Sequence, residues 1–219
     1  MSRIVLASNN NGKLREFNQM FGALEVEVLP QREFEVPEVE ETGLTFVENA
    51  ILKARNTAAH TGLTALADDS GLEVDALRGA PGIYSARYAG VGADDRANLR
   101  KLLQDLQDVP DEQRTARFQC IIVYMRHARD PVPLIAQGTW EGRILREPVG
   151  ENGFGYDPIF FVSTHGRGCA ELAPEEKNRL SHRGIALRTL VKKLYPSRMG
   201  FPVREVRPWG SPSRRADEP

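Results

Sequence analysis

Two hydrophobic periods alternate along this chain, and that alternation most constrains what it can fold into. Short apolar, β-branched runs of strand character give way repeatedly to segments whose apolar residues recur at helical spacing. Arg3 to Ala7 is such a run; it ends in Ser8-Asn9-Asn10-Asn11-Gly12-Lys13, after which Leu14, Phe17, Met20 and Phe21 mark a helix. Glu25 to Leu29 alternates as a second strand, and Gln31 to Glu41 is an acidic, proline-containing connection. Thr45 and Glu48 have the spacing of a capping box; Val47, Ala50, Ile51, Ala54 and Ala58 then continue a helix that should end near Gly62. Thr64 to Ala67 predicts a short buried strand, with Leu72 to Leu77 as its neighbour, so that Asp68 and Asp69 stand at a strand end.

The second half continues the alternation. Leu99, Leu102, Leu103 and Leu106 predict a helix, and Phe118 to Met125 and Leu134 to Gln137 a hairpin about Arg129-Asp130-Pro131. Trp140 to Leu145 and Pro158 to Val162 give further strands around the glycine-rich stretch Gly150 to Gly155. Ser181 should cap a last helix carrying Leu187, Leu190, Val191 and Leu194. Helices and hairpins in this order imply a mixed α/β sheet in a domain spanning residues 1–196. In 197–219 proline, arginine, serine and glycine replace the apolar period, the composition of a disordered tail.

Charge and cysteine usage narrow the function. With 29 Lys+Arg against 30 Asp+Glu the net charge is -1, so no global basic field exists to hold a nucleic acid or a membrane surface. A polyanionic ligand must be bound locally. Cys120 and Cys169 lack the paired spacing of a zinc site or disulfide framework and read as reduced core thiols. No apolar stretch reaches signal-peptide or membrane-spanning form, so a cytoplasmic protein is expected.

Four constellations have chemical potential. Ser8 to Lys13 couples a strand end to a helix start, where N–H groups and an ammonium can meet an anion, although the same spacing suits an ordinary loop. Glu40, Glu41, Asp68 and Asp69 are oxygen ligands of the kind Mg²⁺ takes, or else solvated loop charges. Asn49, Lys53 and Asn56 share the face opposite the alanine stripe; such a face usually meets solvent, but a lysine there can also reach a phosphate. Gly153 to Pro158 offers close backbone approach and the flat face of Phe154, while Lys177 and Ser181-His182-Arg183 add donors near a helix start. A histidine and an arginine in a first helical turn oppose the helix dipole, and a bound nucleotide would account for them.

Taken together, certain motifs resemble one known family. They are Ser8-x-Asn10-x-x-Lys13, Glu40-Glu41-Thr42-Gly43, Phe46-x-Glu48-Asn49-Ala50 with Lys53-Ala54, Ala67-Asp68-Asp69-Ser70-Gly71-Leu72, Gly79-Ala80-Pro81-Gly82-x-Tyr84-Ser85-Ala86-Arg87, Gly153-Phe154-Gly155-Tyr156-Asp157-Pro158 and Ser181-His182-Arg183. In this order and spacing the chain from Arg3 to Leu194 is similar to the inosine-triphosphate pyrophosphatase family, in its bacterial deoxyinosine/xanthosine triphosphate branch. The resemblance implies a long mixed central sheet with two lobes flanking a nucleotide-binding cleft, a homodimer, and Mg²⁺-dependent conversion of dITP, ITP and XTP or dXTP to the monophosphate and pyrophosphate. By the same resemblance Ser8, Asn9, Asn10, Asn11, Gly12 and Lys13 hold the triphosphate, Asp69 is general base and metal ligand, Glu40 or Glu41 is a further metal ligand, and Lys53 lies beside the phosphates. Ser70, Phe154, Gly155, Tyr156, Asp157, Lys177, His182 and Arg183 hold the substrate and its base. A sensor that binds triphosphates without cleaving them would need these cations more than these acids. A related pyrophosphatase of modified pyrimidine nucleotides, of the septum-inhibitor type, should lack the Ser181-His182-Arg183 arrangement.

Overall fold

The computed structural model describes residues 2–22 and 26–195, and the expectation for the tail at 197–219 and for Glu25 lies outside the described residues. Strand β1 (Ser2–Leu6) leads into helix α1 (Asn11–Phe21), then β2 (Val26–Pro30) and a 3-10 turn over Gln31–Phe34. Helix α2 (Phe46–Thr61) follows, capped at one end by the Thr45 hydroxyl and at the other by Gly62 in the left-handed region. The Glu48 carboxylate closes the N-terminal cap from the other side by accepting from the Leu44 N–H and the Thr45 hydroxyl. Strand β3 (Thr64–Val74), helix α3 (Asp95–Asp105), the long hairpin β4 (Thr115–Met125) and β5 (Leu134–Ile144), the short strands β6 (Phe160–Val162) and β7 (Arg167–Gly168), and helices α4 (Pro174–Leu180) and α5 (His182–Leu194) complete the fold.

The seven strands form one sheet in the order β2-β1-β3-β4-β5-β6-β7. β1 runs parallel to β2 and β3, and every later pairing is antiparallel. Apolar residues cover both faces. On one, Ile4, Leu6, Leu66 and Ile122 meet Phe17 and Phe21 of α1 and Leu187 and Leu190 of α5. On the other, Ala65, Ala67, Val123 and Met125 meet Ala50, Ala54 and Ala58 of α2, an alanine-rich contact that brings the helix backbone close to the sheet. A separate cluster of Leu72, Val74, Leu102, Phe118, Trp140, Tyr156 and Phe160 fills the far end. Two lobes on a shared sheet result, as the resemblance implies.

Three sequence expectations need correction. β3 is a single 11-residue strand, not two neighbouring strands, so Asp68 and Asp69 stand in its middle. The polar residues Asp68-Asp69-Ser70-Gly71 imitate a turn, but β4 pairs with the strand continuously from Ala65 to Val74 and satisfies its backbone. β5 likewise absorbs Leu134 to Gln137 and nearly all of Trp140 to Leu145 in one strand through Gly138. Of Pro158 to Val162, only the last three residues are strand, because Asp157–Ile159 forms a 3-10 turn.

β1 pairs with β3 only from Ile4↔Thr64 to Leu6↔Leu66, and one more bond runs from the Ala7 N–H to the Leu66 carbonyl. Beyond that point β3 continues without β1 beside it. Asp68, Asp69 and Ser70 therefore pass along the floor of a cleft between the lobes.

Gly138 shows how tightly α5 seats on the sheet: a methyl group there would overlap the His182 carbonyl oxygen and the Ala186 nitrogen, both backbone atoms. Gly138→Ala should therefore cost about 2 kcal/mol through forced helix displacement and lower the unfolding midpoint by about 4–8 °C in a domain of this size. Scanning calorimetry showing a midpoint within about 1 °C of the parent would contradict that close seating.

Candidate active site

Neighbours on an extended strand point to opposite faces, and Asp68 and Asp69 do so. Asp69 faces α2, where Lys53 Nζ meets its Oδ1 at 2.6 Å and Glu41 Oε1 at 2.9 Å. Glu41 is also reached by Arg87 at 3.4 Å. Asp68 faces α1 and α5, pairing with Lys13 Nζ at 3.0 Å and Arg183 Nε at 3.2 Å while accepting from the Ser70 hydroxyl at 2.7 Å. One dipeptide thus fixes a cation on each side of the sheet.

The charge states follow from these partners. Burial raises the Asp69 carboxyl above the ordinary aspartate value, opposed by the Lys53 ammonium. Burial works against the charge on Lys53, but Asp69, Asp68 and Glu41 outweigh it and keep the ammonium more firmly protonated than a free lysine. Asp68 is buried too, yet Lys13, Arg183 and Lys53 hold it far below the usual carboxylate range. Asp69 is therefore the more basic carboxylate of the two.

Two cavities meet at Lys13. The first, about 270 Å³, is charged: Ser8, Asn9, Lys13, Glu41, Lys53, Asn56 and Asp68 are among its lining residues. The second, about 160 Å³, is lined by Ser70, Leu72, Phe118, Phe154, Gly155, Tyr156, Asp157, Lys177, His182 and Arg183 among others. In it Phe154 carries the Lys177 ammonium 4.8 Å and the Arg183 guanidinium 5.9 Å from its ring centre. Asp157 Oδ2 accepts from the Phe154 N–H and from Lys177 Nζ, fixing the glycine-rich turn. His182 stacks on Phe118 with centroids 4.8 Å apart, and its buried Nδ1 has no hydrogen-bond partner among the described residues. Burial, with Arg183 and Lys177 nearby, pushes its pKa well below the ordinary value, so the ring is neutral.

The sequence-predicted residues divide accordingly. Lys13, Lys53 and Glu41 line the charged cavity, Asp69 is held to Lys53 beside them, and Ser70, Phe154 to Asp157, Lys177, His182 and Arg183 line the aromatic one. Of the glutamate pair, Glu41 turns into the cleft while the Glu40 side chain is exposed. The Ser8 to Lys13 loop differs from expectation. Asn10 caps α1, and its Oδ1 accepts from the N–H groups of Gly12 and Lys13, so these two donors are already engaged. Asn9 donates to Glu38, and Asn11 accepts from Arg32. Tyr156 is as much core as site, since its hydroxyl donates to the Ser85 carbonyl. The polar face of α2 is largely covered: Asn49 is fully buried and accepts from the Gly43 N–H, and Asn56 donates to the Pro37 carbonyl.

Sequence reading missed Glu16, which pairs with Lys177 at 3.4 Å and with Arg183, and so ties α1 to α4 and α5. Its position one turn after Lys13 was the available signal. It also missed Phe118, which reads as a core strand residue, and Asp95, which accepts from the Gly155 N–H across the lobe. Among the described residues no group of three or more His, Cys, Asp or Glu gathers as a metal cage.

Known proteins similar to this chain cover most of its length. Residues 4–193 match the model of the Ham1 family. The chain is 61% identical over 192 residues to a dITP/XTP pyrophosphatase of Thioalkalivibrio sulfidiphilus, covering 88% of this chain and 98% of that protein. It is 56% identical over 194 residues to the dITP/XTP pyrophosphatase of Escherichia coli strain K12, covering 89% and 98%. Among solved structures, a HAM1 protein from Coxiella burnetii superposes with a TM-score of 0.83 at 55% identity, over 90% of this chain and all of that one. A nucleoside-triphosphatase, dITP/XTP pyrophosphatase, from Mycobacterium abscessus gives 0.70 at 45% identity, over 86% and 98%.

Asp68 supplies the prediction from this geometry. Asp68→Asn leaves Lys13 and Arg183 without their shared buried carboxylate, a loss of roughly 3 kcal/mol at pH 7. Because the folded-state pKa of Asp68 lies below the unfolded value near ~3.9, its stabilisation is complete above that value and drains as pH falls below it. The gap in unfolding midpoint between parent and variant should therefore be widest at neutral pH and shrink below about pH 4. A gap independent of pH between 3 and 7 would contradict a charge-based role.

Proposed function

The chain belongs to the Ham1 family, and from that premise we propose that it is a nucleoside-triphosphate pyrophosphatase that converts dITP, ITP and XTP or dXTP to the monophosphate and pyrophosphate. By doing so it removes deaminated purines from the nucleotide pool before they enter DNA or RNA. The observation that carries this reading is the pair of cavities joined at Lys13: one rich in charge, sized for phosphates, the other aromatic and lined with donors, suited to a purine. A pure binding module would not require Asp69 to be held unusually basic against Lys53.

The donor set fits Mg²⁺. Glu41 and Asp69 are hard oxygen ligands that converge on one positive charge, and Mg²⁺ commonly takes one or two carboxylates and completes its shell with water and substrate phosphates. Those two residues, with Glu41 in preference to the exposed Glu40, would hold it; when bound it supplies positive charge against the phosphate oxygens. Lys13 and Lys53 add to that neutralisation from either side of β3. Asp69 orients a water and takes its proton; the oxygen attacks the α-phosphorus, and the bond to the bridging oxygen of pyrophosphate breaks. Since phosphoryl chemistry depends mainly on positioning and charge, no covalent intermediate on the protein is needed.

For selection, a 6-oxo purine presents an acceptor where adenine presents an amino donor. We assign the facing donors to Lys177, His182 and Arg183 with nearby backbone N–H groups. The neutral, stacked His182 ring carries a single N–H whose placement is set by tautomer, and the bound base stands against Phe154. The wrong base would leave buried donors unpaired, which supports discrimination of roughly 10⁴-fold. The family resemblance also supports a cytoplasmic homodimer. Among the described residues no helix is long and apolar enough to cross a membrane.

Steady-state hydrolysis of dITP, XTP, dATP and dGTP with Mg²⁺, with pyrophosphate and orthophosphate measured separately, tests the proposal. Selective turnover of dITP and XTP with pyrophosphate release is expected, and Asp69→Asn should lower kcat by about 10²- to 10⁴-fold with the fold intact. Orthophosphate release alone, or equal turnover of dATP, would refute the reading.

A further inference from the structure

The Lys53 ammonium lies within hydrogen-bond reach of two carboxylates, 2.6 Å from Asp69 Oδ1 and 2.9 Å from Glu41 Oε1. All three side chains are largely withdrawn from solvent, at 14% exposure for Lys53, 11% for Asp69 and 28% for Glu41, so this is no loose surface pair. Arg87 adds a second positive charge on the far oxygen of Glu41. Asp68 stands behind Lys53 as a further negative neighbour, but Lys13 and Arg183 already claim it. The substrate-free cleft is therefore neutralised by its own side chains.

We propose that Lys53 guards the Glu41 and Asp69 carboxylates against divalent cations until a nucleotide arrives, so that the metal enters with the triphosphate and not before it. The inference deepens the pyrophosphatase reading and rests on it. The physical basis is competition: an ammonium and a divalent cation that use the same two carboxylates exclude one another by charge repulsion and by shared ligands. Phosphate oxygens entering the cavity beside Lys13 and Lys53 give the ammonium another partner. Lys53 is suited to this exchange because its charge sits on a flexible four-carbon stem rooted in α2, whose backbone is pinned against the sheet by Ala50 and Ala54. Only the head of the side chain has to move. The cleft gains from the arrangement by keeping Asp69 from being tied up by a divalent metal ion when no substrate is present.

The test uses Mn²⁺ alone, with nucleotide-free protein and the free ion counted by electron paramagnetic resonance. The parent should bind Mn²⁺ weakly, Lys53→Met at least tenfold more tightly, and Lys53→Arg, which keeps the charge, as weakly as the parent. The gained affinity should vanish in Glu41→Gln/Lys53→Met and in Asp69→Asn/Lys53→Met. Circular dichroism checks folding, and Lys53→Gln takes the place of Lys53→Met if the latter unfolds. Equal or weaker Mn²⁺ binding in the charge-free variants overturns the proposal, as does a gain that survives in both double variants. Because no turnover is measured, these outcomes stand apart from the dITP assay, whose failure would instead remove the pyrophosphatase reading.

Discussion

Everything in the cleft depends on two adjacent carboxylates sharing one extended strand. Extended backbone obliges Asp68 and Asp69 to face opposite sides of the sheet, and a buried carboxylate must find a cation or lose its charge. One draws Lys13 from α1 and Arg183 from α5; the other draws Lys53 from α2. Helices on both faces are thereby brought to the same stretch of β3, beyond the point where β1 stops pairing with it. Had the two acids stood in a loop, no geometric rule would have separated their partners, and a single cluster of like charges would have formed.

The apolar core serves this arrangement rather than competing with it. On the α2 side the contact is made by alanines, so the helix lies close enough for a lysine to reach Asp69. On the other side Gly138 lets the start of α5 settle onto β5, which places His182 against Phe118 and Arg183 beside Asp68. The first turn of α5 is thus an unfavourable place for cations by helix dipole alone, but Glu16 and Asp68 supply the opposing charge. Small residues decide how near the backbones come, and that nearness decides which charges meet.

Much of this was legible from the sequence, and the failures share a physical origin. The order of strands and helices, the caps at Thr45, Gly62 and Ser181, and the hairpin about Asp130 follow from local chemistry, which sequence reports directly. Asp68-Asp69-Ser70-Gly71 reads as the end of a strand because those residue types disfavour one; tertiary pairing with β4 overrides the preference. The polar face of α2 was given to solvent as the default, whereas Asn49 and Asn56 bind the backbone of the loop before the helix. Glu16 was passed over because its partners, Lys177 and Arg183, are more than 160 residues away in the chain. No spacing rule reaches that far. The Glu40 and Glu41 alternative could not be settled from adjacent identical residues, and only the turn of the loop separates an exposed side chain from one aimed at Lys53.

The loop from Ser8 to Lys13 carries the argument one step further. With the Gly12 and Lys13 amides bonded to Asn10, the start of α1 has fewer free donors than a phosphate-cradling loop usually presents. Recognition of the phosphates must then rest more on side-chain ammonium groups, and each of these already holds a carboxylate of the protein itself. Binding is accordingly an exchange of partners, not the filling of empty sites. An anion gains only the difference between its own attraction and that of the carboxylate it displaces, so a monoanion gains little. On the proposed reading a triphosphate would reach Lys13 and Lys53 together, while its base would occupy the adjoining cavity. Selectivity for whole nucleotides over fragments follows from that simultaneous demand, before any contact to the purine edge is counted.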